Sequence, residues 1–265
     1  MPMIDADGCL LNVSVEGRDG GPTLMLSNSL GSTMQMWEPQ MKALTQVFRV
    51  IRYDRRGHGK SNVPPGPYSL ERFGRDVLAI LDDLNIAKAH WCGLSMGGMV
   101  GQYLGLMHPK RIISLQLVST SSRVPPEGAA MWDERIKTVR EKGMASQPEG
   151  SMQRWVSEAG RKNAALVARL SKLIETTPAD GFIGWGGAIR GLNITDRLKA
   201  ITLPTRVIVG ALDPATPPSA AEAIHKQIAG SDLIVMPGVS HMLCAEDPPA
   251  FHKHVLAFLD KVSAK

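Results

Sequence analysis

A chain of 265 residues with 43% hydrophobic and 21% charged side chains has the balance of a globular protein. It is long enough for one large α/β domain with an insertion and too short for two ordinary enzyme domains. No apolar run reaches the roughly 18 residues of a membrane span, and Asp5 and Asp7 interrupt the N-terminus before a leader-like apolar run builds. The net charge of +5 is spread over scattered bases, with only Arg52, Arg55, Arg56 and Lys60 crowded. Neither a nucleic acid nor a membrane is therefore an expected partner.

The opening elements are strands. Leu10 to Val15 alternates, and Thr23 to Leu26 is short and apolar, with an Arg18–Pro22 turn between them. The small-residue loop Ser27–Ser32 follows, then a helix from Trp37 to Thr45 and a strand from Val47 to Tyr53. Gly59-Lys60-Ser61 resembles the end of a phosphate loop, but the glycine that motif needs five residues earlier is Asp54, so the nucleotide reading is rejected. Leu70, Phe73, Val77, Ile80, Leu81 and Leu84 recur at helical spacing. Ala89–Cys92 reads as a buried strand, Gly98–Leu104 as a helix closing at His108-Pro109, and Ile112–Val118 as a further buried strand. This rhythm predicts an α/β fold with a mostly parallel sheet flanked by helices.

The rhythm stops at Ser119–Ser122. Residues 123–200 carry helical patterns (Trp132–Glu141, Asn163–Glu175) and no convincing strand, and read as a helical cap inserted into a core made of residues 1–122 and 201–265. Strand and helix then resume at Thr205–Val209, Pro217–Ile228, Leu233–Met236 and Pro248–Val262. The three cysteines, Cys9, Cys92 and Cys244, are too widely spaced for a disulfide framework or a zinc pattern and suit a reducing cytoplasm.

Gly93-Leu94-Ser95-Met96-Gly97, between a strand and a helix, has the form of a nucleophile elbow. Such a turn lifts the serine oxygen above the sheet at a helix N-terminus that favours developing negative charge. A serine needs a base, and the base needs an orienting acid. Of seven histidines, His241 alone lies in a loop directly after a late strand, where it reaches the C-terminal edge of the sheet. Asp213 ends the Val207–Val209 strand, and the order Ser95, Asp213, His241 is that of α/β-hydrolases. Two N–H donors are needed for the oxyanion: Met96 supplies one, and the loop Asn28–Gly31 supplies the other from Leu30, with Asn28 holding that loop. No metal cluster or cofactor fingerprint is present, and none is required.

Asp54-x-Arg56-Gly57-His58-Gly59-x-Ser61, the elbow, Gly210-x-x-Asp213 and Ser240-His241 are together similar to the α/β-hydrolase superfamily along essentially the whole chain. Ser27–Gly31, Arg52–Asp54, Val63–Ser69, Cys92–Gly101 and Asp213–Pro218 resemble, more narrowly, the 3-oxoadipate enol-lactone hydrolases of bacterial aromatic catabolism. That resemblance implies a cofactor-free cytoplasmic serine hydrolase acting on a small anionic lactone or ester, compatible with a homo-oligomer. Gly181–Ala188 and Met242–Glu246 depart from that family's pattern. Both lie where a cap and a base-bearing loop would line the pocket, so they bear on the substrate. Arg190 and Arg135 are the candidate cations for a substrate carboxylate, against the plain alternative of surface arginines. Trp132 and Trp185 are candidate pocket walls, and Asn28 a further lining residue. The alternatives are a carboxylesterase or perhydrolase of other range, and a non-catalytic ligand receptor on the same fold.

Overall fold

The computed structural model describes residues 2–263. Eight strands form one sheet: β1 (Met3–Asp5), β2 (Leu10–Gly17), β3 (Thr23–Ser27), β4 (Arg49–Tyr53), β5 (Ala89–Leu94), β6 (Ile112–Val118), β7 (Thr205–Gly210) and β8 (Asp232–Met236). Their spatial order is β1-β2-β4-β3-β5-β6-β7-β8. β2 pairs antiparallel with both its neighbours, β1 and β4, and every other pairing is parallel. The core helices are α1 (Glu38–Leu44), α2 (Leu70–Asp83) and α3 (Met96–Met107); between β6 and β7 lie α4 (Pro126–Lys142), α5 (Pro148–Trp155), α6 (Ala164–Glu175) and α7 (Ala179–Arg190); α8 (Pro218–Gln227), α9 (Leu243–Glu246) and α10 (Pro248–Ser263) complete the chain. None of the described helices is long and apolar enough to cross a membrane.

Central β5 is buried along its whole length, as a parallel strand covered on both faces must be. The apolar stripe of α2 places Phe73, Val77, Ile80 and Leu81 in the core, and Ser69 starts the helix by accepting the Arg72 N–H, a cap worth about 1 kcal/mol. Strand β1 escapes sequence reading because its three residues bury only Ile4 and show no period.

The cluster Arg52–Lys60 is a folded turn and not a basic patch. Arg52 pairs with Glu16 and Glu38, and Arg56 binds Asp76 through two nitrogens. Asp54 accepts from Asn12 Nδ2 and from the amides of Met34 and Lys60.

The two ends of the inserted helices meet at a neck, where Val124 N–H donates to Leu192 and Ile194 N–H to Ser122. Helix α7 is seated on the Arg55–Gly57 turn at a glycine–glycine contact so close that a Cβ on Gly181 would lie 1.8 Å from the Gly57 carbonyl oxygen. Trp185 completes this seat. It is fully buried, stacks on Phe73 and donates its indole N–H to the Arg56 carbonyl.

Candidate active site

The parallel order brings the C-terminal ends of β3, β5 and β7 to one edge, and the loop after β8 to the same side. Ser95 follows β5 with φ 56° and ψ −112°, a conformation that costs a non-glycine residue about 1–3 kcal/mol. Its amide donates to Val118 and its carbonyl accepts from Thr120 Oγ1. Both elbow glycines are required by close approach: a Cβ on Gly93 would sit 2.2 Å from the Gly97 oxygen, and one on Gly97 2.3 Å from the Ser27 oxygen.

His241 Nδ1 lies 2.8 Å from Asp213 Oδ2, and both residues are buried. The carboxylate also accepts from the amides of Ala215 and Thr216 and from Thr216 Oγ1. Burial pushes the Asp213 carboxyl upward, but the charge and hydrogen bond of His241 and the Thr216 bonds outweigh it, and the net shift is below the ordinary value. An ionised Asp213 holds the proton on Nδ1 and leaves Nε2 to face the cavity as a base.

The loop after β3 is fixed amide by amide. Asn28 donates its side-chain amide to the Tyr53 carbonyl and accepts the Gly97 N–H, Ser29 N–H faces Met36 Sδ, and Gly31 N–H donates to His58 Nε2. Burial, reinforced by the charge of Arg55, pushes His58 well below its usual range, so it is neutral and able to accept. Among the described residues, the amides of Leu30 and Met96 have no acceptor in the chain. Two free N–H donors beside a serine are what an oxyanion requires.

A cavity of about 720 Å³ joins Ser29, Leu30, Ser95 and His241 to Trp132, Arg135, Arg154 and Trp155 of the inserted helices. Burial, reinforced by neighbouring Arg154, pushes the Arg135 guanidinium down to about 9, and burial also lowers Arg154. Arg135 lies over the rings of Trp132 and Phe182. Its Nε reaches Gln147 at 3.4 Å, and Arg154 reaches Ser151 Oγ at 3.4 Å. Among the described residues, neither has a carboxylate partner.

A family model described as alpha/beta hydrolase fold matches residues 22–248. The chain belongs to the α/β-hydrolase family. It is 33% identical over 256 residues to 3-oxoadipate enol-lactonase 1 of Acinetobacter baylyi, covering 96% of this chain and 95% of that protein. Among solved structures, a hydrolase from Pseudomonas aeruginosa PA01 is 42% identical with a TM-score of 0.93, and 97% of each chain is covered. The enol-lactonase from Burkholderia xenovorans LB400 is 34% identical, also with a TM-score of 0.93, covering 98% of this chain and 100% of that one.

Within this α/β-hydrolase, one cavity is lined by Ser95, Leu30 and His241 together with Trp132 and Arg135, Asp213 holds His241, and Met96 follows Ser95 as the first residue of α3. Three expected pocket residues lie elsewhere. Asn28 is buried behind the loop it braces. Trp185 packs beneath α7 on the core and not in the pocket. Arg190 turns outward at the end of α7 and pairs with Asp133 of α4, both half exposed. Sequence reading missed Arg154 and Trp155, which carry no local signal. It also missed Thr216, for which the Asp213-Pro-x-Thr turn chemistry was a usable clue. Two further links tie the base-bearing loop to the insertion. Glu246 accepts from Ser240 N–H on one oxygen and from Ser157 N–H and Oγ on the other, and Met242 N–H donates to the Trp155 carbonyl.

Proposed function

We propose that this protein is a serine hydrolase that opens 3-oxoadipate enol-lactone to 3-oxoadipate in the catabolism of aromatic compounds, with residues 123–200 as its helical cap and the cytoplasm as its setting. The observation that carries the reading is the shared cavity. It is lined by Ser95, by Leu30 with its free amide, by the acid-oriented His241, and by Arg135 and Arg154, which have no carboxylate partner among the described residues, together with Arg123, Glu127 and Asp196. The named relatives support the lactone.

In this scheme Ser95 attacks the ring carbonyl while His241 takes its proton. Asp213 stabilises the imidazolium, and the N–H groups of Leu30 and Met96 receive the oxyanion. The tetrahedral intermediate collapses with cleavage of the ring C–O bond. His241 returns the proton to the departing enol oxygen, and the enol tautomerises to the ketone. Water, deprotonated by His241, then hydrolyses the acyl-serine. Arg135 and Arg154 hold the free carboxylate of the substrate. No cofactor enters the scheme.

The test is the decay of enol-lactone absorbance with wild-type protein and with Ser95→Ala. Fast decay at micromolar substrate is expected, falling by about 10⁴–10⁶ in the variant. A higher kcat/KM for neutral short esters than for the lactone would refute the substrate. One observation favours a wider reading. The cavity volume of about 720 Å³, room for about two dozen waters at roughly 30 Å³ each, exceeds what a monocyclic lactone fills, so larger anionic esters belong in the same assay.

A further inference from the structure

Arg55 is a cation in an unusual place. It is 2% exposed; its neighbours Arg52 and Arg56 are both paired to carboxylates, whereas among the described residues Arg55 has none. Asp54, next in the chain, turns its own carboxylate to Asn12, Met34 and Lys60. Burying an unpaired charge is costly unless hydrogen bonds compensate it; here two backbone carbonyls take the two Nη atoms, while the buried Nε has no partner among the described residues. Nη1 donates to the Asn28 oxygen at 2.7 Å and Nη2 to the Ser29 oxygen at 2.5 Å. The face of the guanidinium lies over the ring of Trp185, 4.6 Å from its centroid.

The Ser29 carbonyl belongs to the same peptide unit as the Leu30 N–H. That unit is planar and trans, so its C=O and N–H point in opposite directions. Anchoring the oxygen on Arg55, with Ser32 Oγ as a second donor to it at 2.7 Å, therefore aims the hydrogen the other way. The Leu30 amide has no acceptor of its own and borders the cavity that holds Ser95. A positive charge on the carbonyl end of a peptide also strengthens its N–H as a donor, because hydrogen bonds in series polarise one another in a low dielectric. A carboxylate beside Arg55 would cancel that field.

We infer that Arg55 is a positioning residue that aims and polarises the Leu30 N–H for the oxyanion, acting through the Ser29 carbonyl from a seat formed by Trp185. The inference rests on the assignment of Leu30 to the oxyanion hole. Burial pushes the guanidinium down to about 10, which leaves it charged at neutral pH. The fork geometry matters as much as the charge: a lysine ammonium is a point donor that does not reproduce two parallel bonds to two carbonyls.

The experiment compares wild type with Arg55→Met, Arg55→Lys and Ser95→Ala, reading kcat, KM, melting temperature and the affinity of a boronic acid, whose serine adduct mimics the tetrahedral intermediate. Arg55→Met should lose about 10²–10³ in kcat, the scale of removing one oxyanion donor. KM should stay within about threefold, and boronate affinity should fall in parallel with kcat/KM. Arg55→Lys should recover part of both. A merely structural role would lower the melting temperature without the parallel loss of boronate affinity, and that pattern overturns the inference. Should Arg55→Met fail to fold, Arg55→Lys decides: about a tenfold loss in kcat and boronate affinity supports the inference, and wild-type values overturn it. Activity surviving in Ser95→Ala would instead defeat the serine mechanism on which the inference rests.

Discussion

Replacing Arg154 by methionine removes a charge from the cavity wall while keeping an apolar stem of similar reach. In the free protein Arg154 makes one long bond, 3.4 Å to Ser151 Oγ, so little internal structure depends on its guanidinium. A bound carboxylate would gain a charge-assisted hydrogen bond worth about 1.5–3 kcal/mol, or about 10–150-fold in kcat/KM at 1.36 kcal/mol per tenfold. Two p-nitrophenyl esters of equal length, one ending in a carboxylate and one in a methyl group, isolate that contribution. Wild type should prefer the anionic ester, and the preference should shrink with added salt as the charges are screened. Arg154→Met and Arg135→Met should each lower it while leaving the neutral ester within about twofold of wild type. Because the two guanidiniums repel one another, neither variant should melt below wild type, the usual trade between function and stability. Equal losses on both esters, or a wild type indifferent to charge, would refute the reasoning.

Asp213→Asn should lower kcat by about 10⁴, as loss of the orienting acid does in other triads, measured by ester hydrolysis. Since the folded-state shift of Asp213 is downward from 3.8, its stabilisation is fully present above that pH and disappears as pH falls below it. A melting-temperature series from about pH 2 to 6 should show a slope in wild type that is smaller in the variant. Gly181→Ala should destabilise by about 1–3 kcal/mol or more through overpacking against Gly57, lowering the melting temperature by several degrees at about 2–4 °C per kcal/mol. Arg190→Ala removes only an exposed pair with Asp133 and should leave both melting temperature and lactone kinetics unchanged.

The parallel core was readable because its signals are local. The period of α2, the glycines of the elbow, and strand ends followed by Asp213 and His241 each declare themselves within a few residues. The inner face of the insertion did so only in part: Trp132 and Arg135 were expected on the cavity wall and line it, but Trp185 and Arg190 were expected there too, because a helical residue facing a cavity and one facing core or water occupy the same pattern. Helix α7 shows the difficulty. Gly181, Phe182, Trp185, Gly186 and Ile189 form its buried face, and at about 100° per residue Arg190 stands about 140° from Trp185. Choosing which face met the pocket required knowing that Gly57 and Phe73 waited beneath α7, a contact that spans over a hundred residues of sequence. Arg154 was invisible for the same reason: its partner in the site, Arg135, lies on a different helix, and what marks the pair is the missing carboxylate, which no sequence pattern reports.

The bridge made by Glu246 has a metrical consequence. One carboxylate clasps Ser240, beside His241, and Ser157, three residues beyond Arg154 and just past the end of α5. The loop that carries the imidazole and the chain just past the helix that carries Arg154 are thereby clasped to one carboxylate, which ties the spacing of the two backbones. A tied backbone spacing acts as a gauge. Against a homologous series of anionic esters such a site responds to the number of methylenes between the carboxylate and the scissile carbonyl, and its optimum would be sharp where a hinged cap would give a plateau.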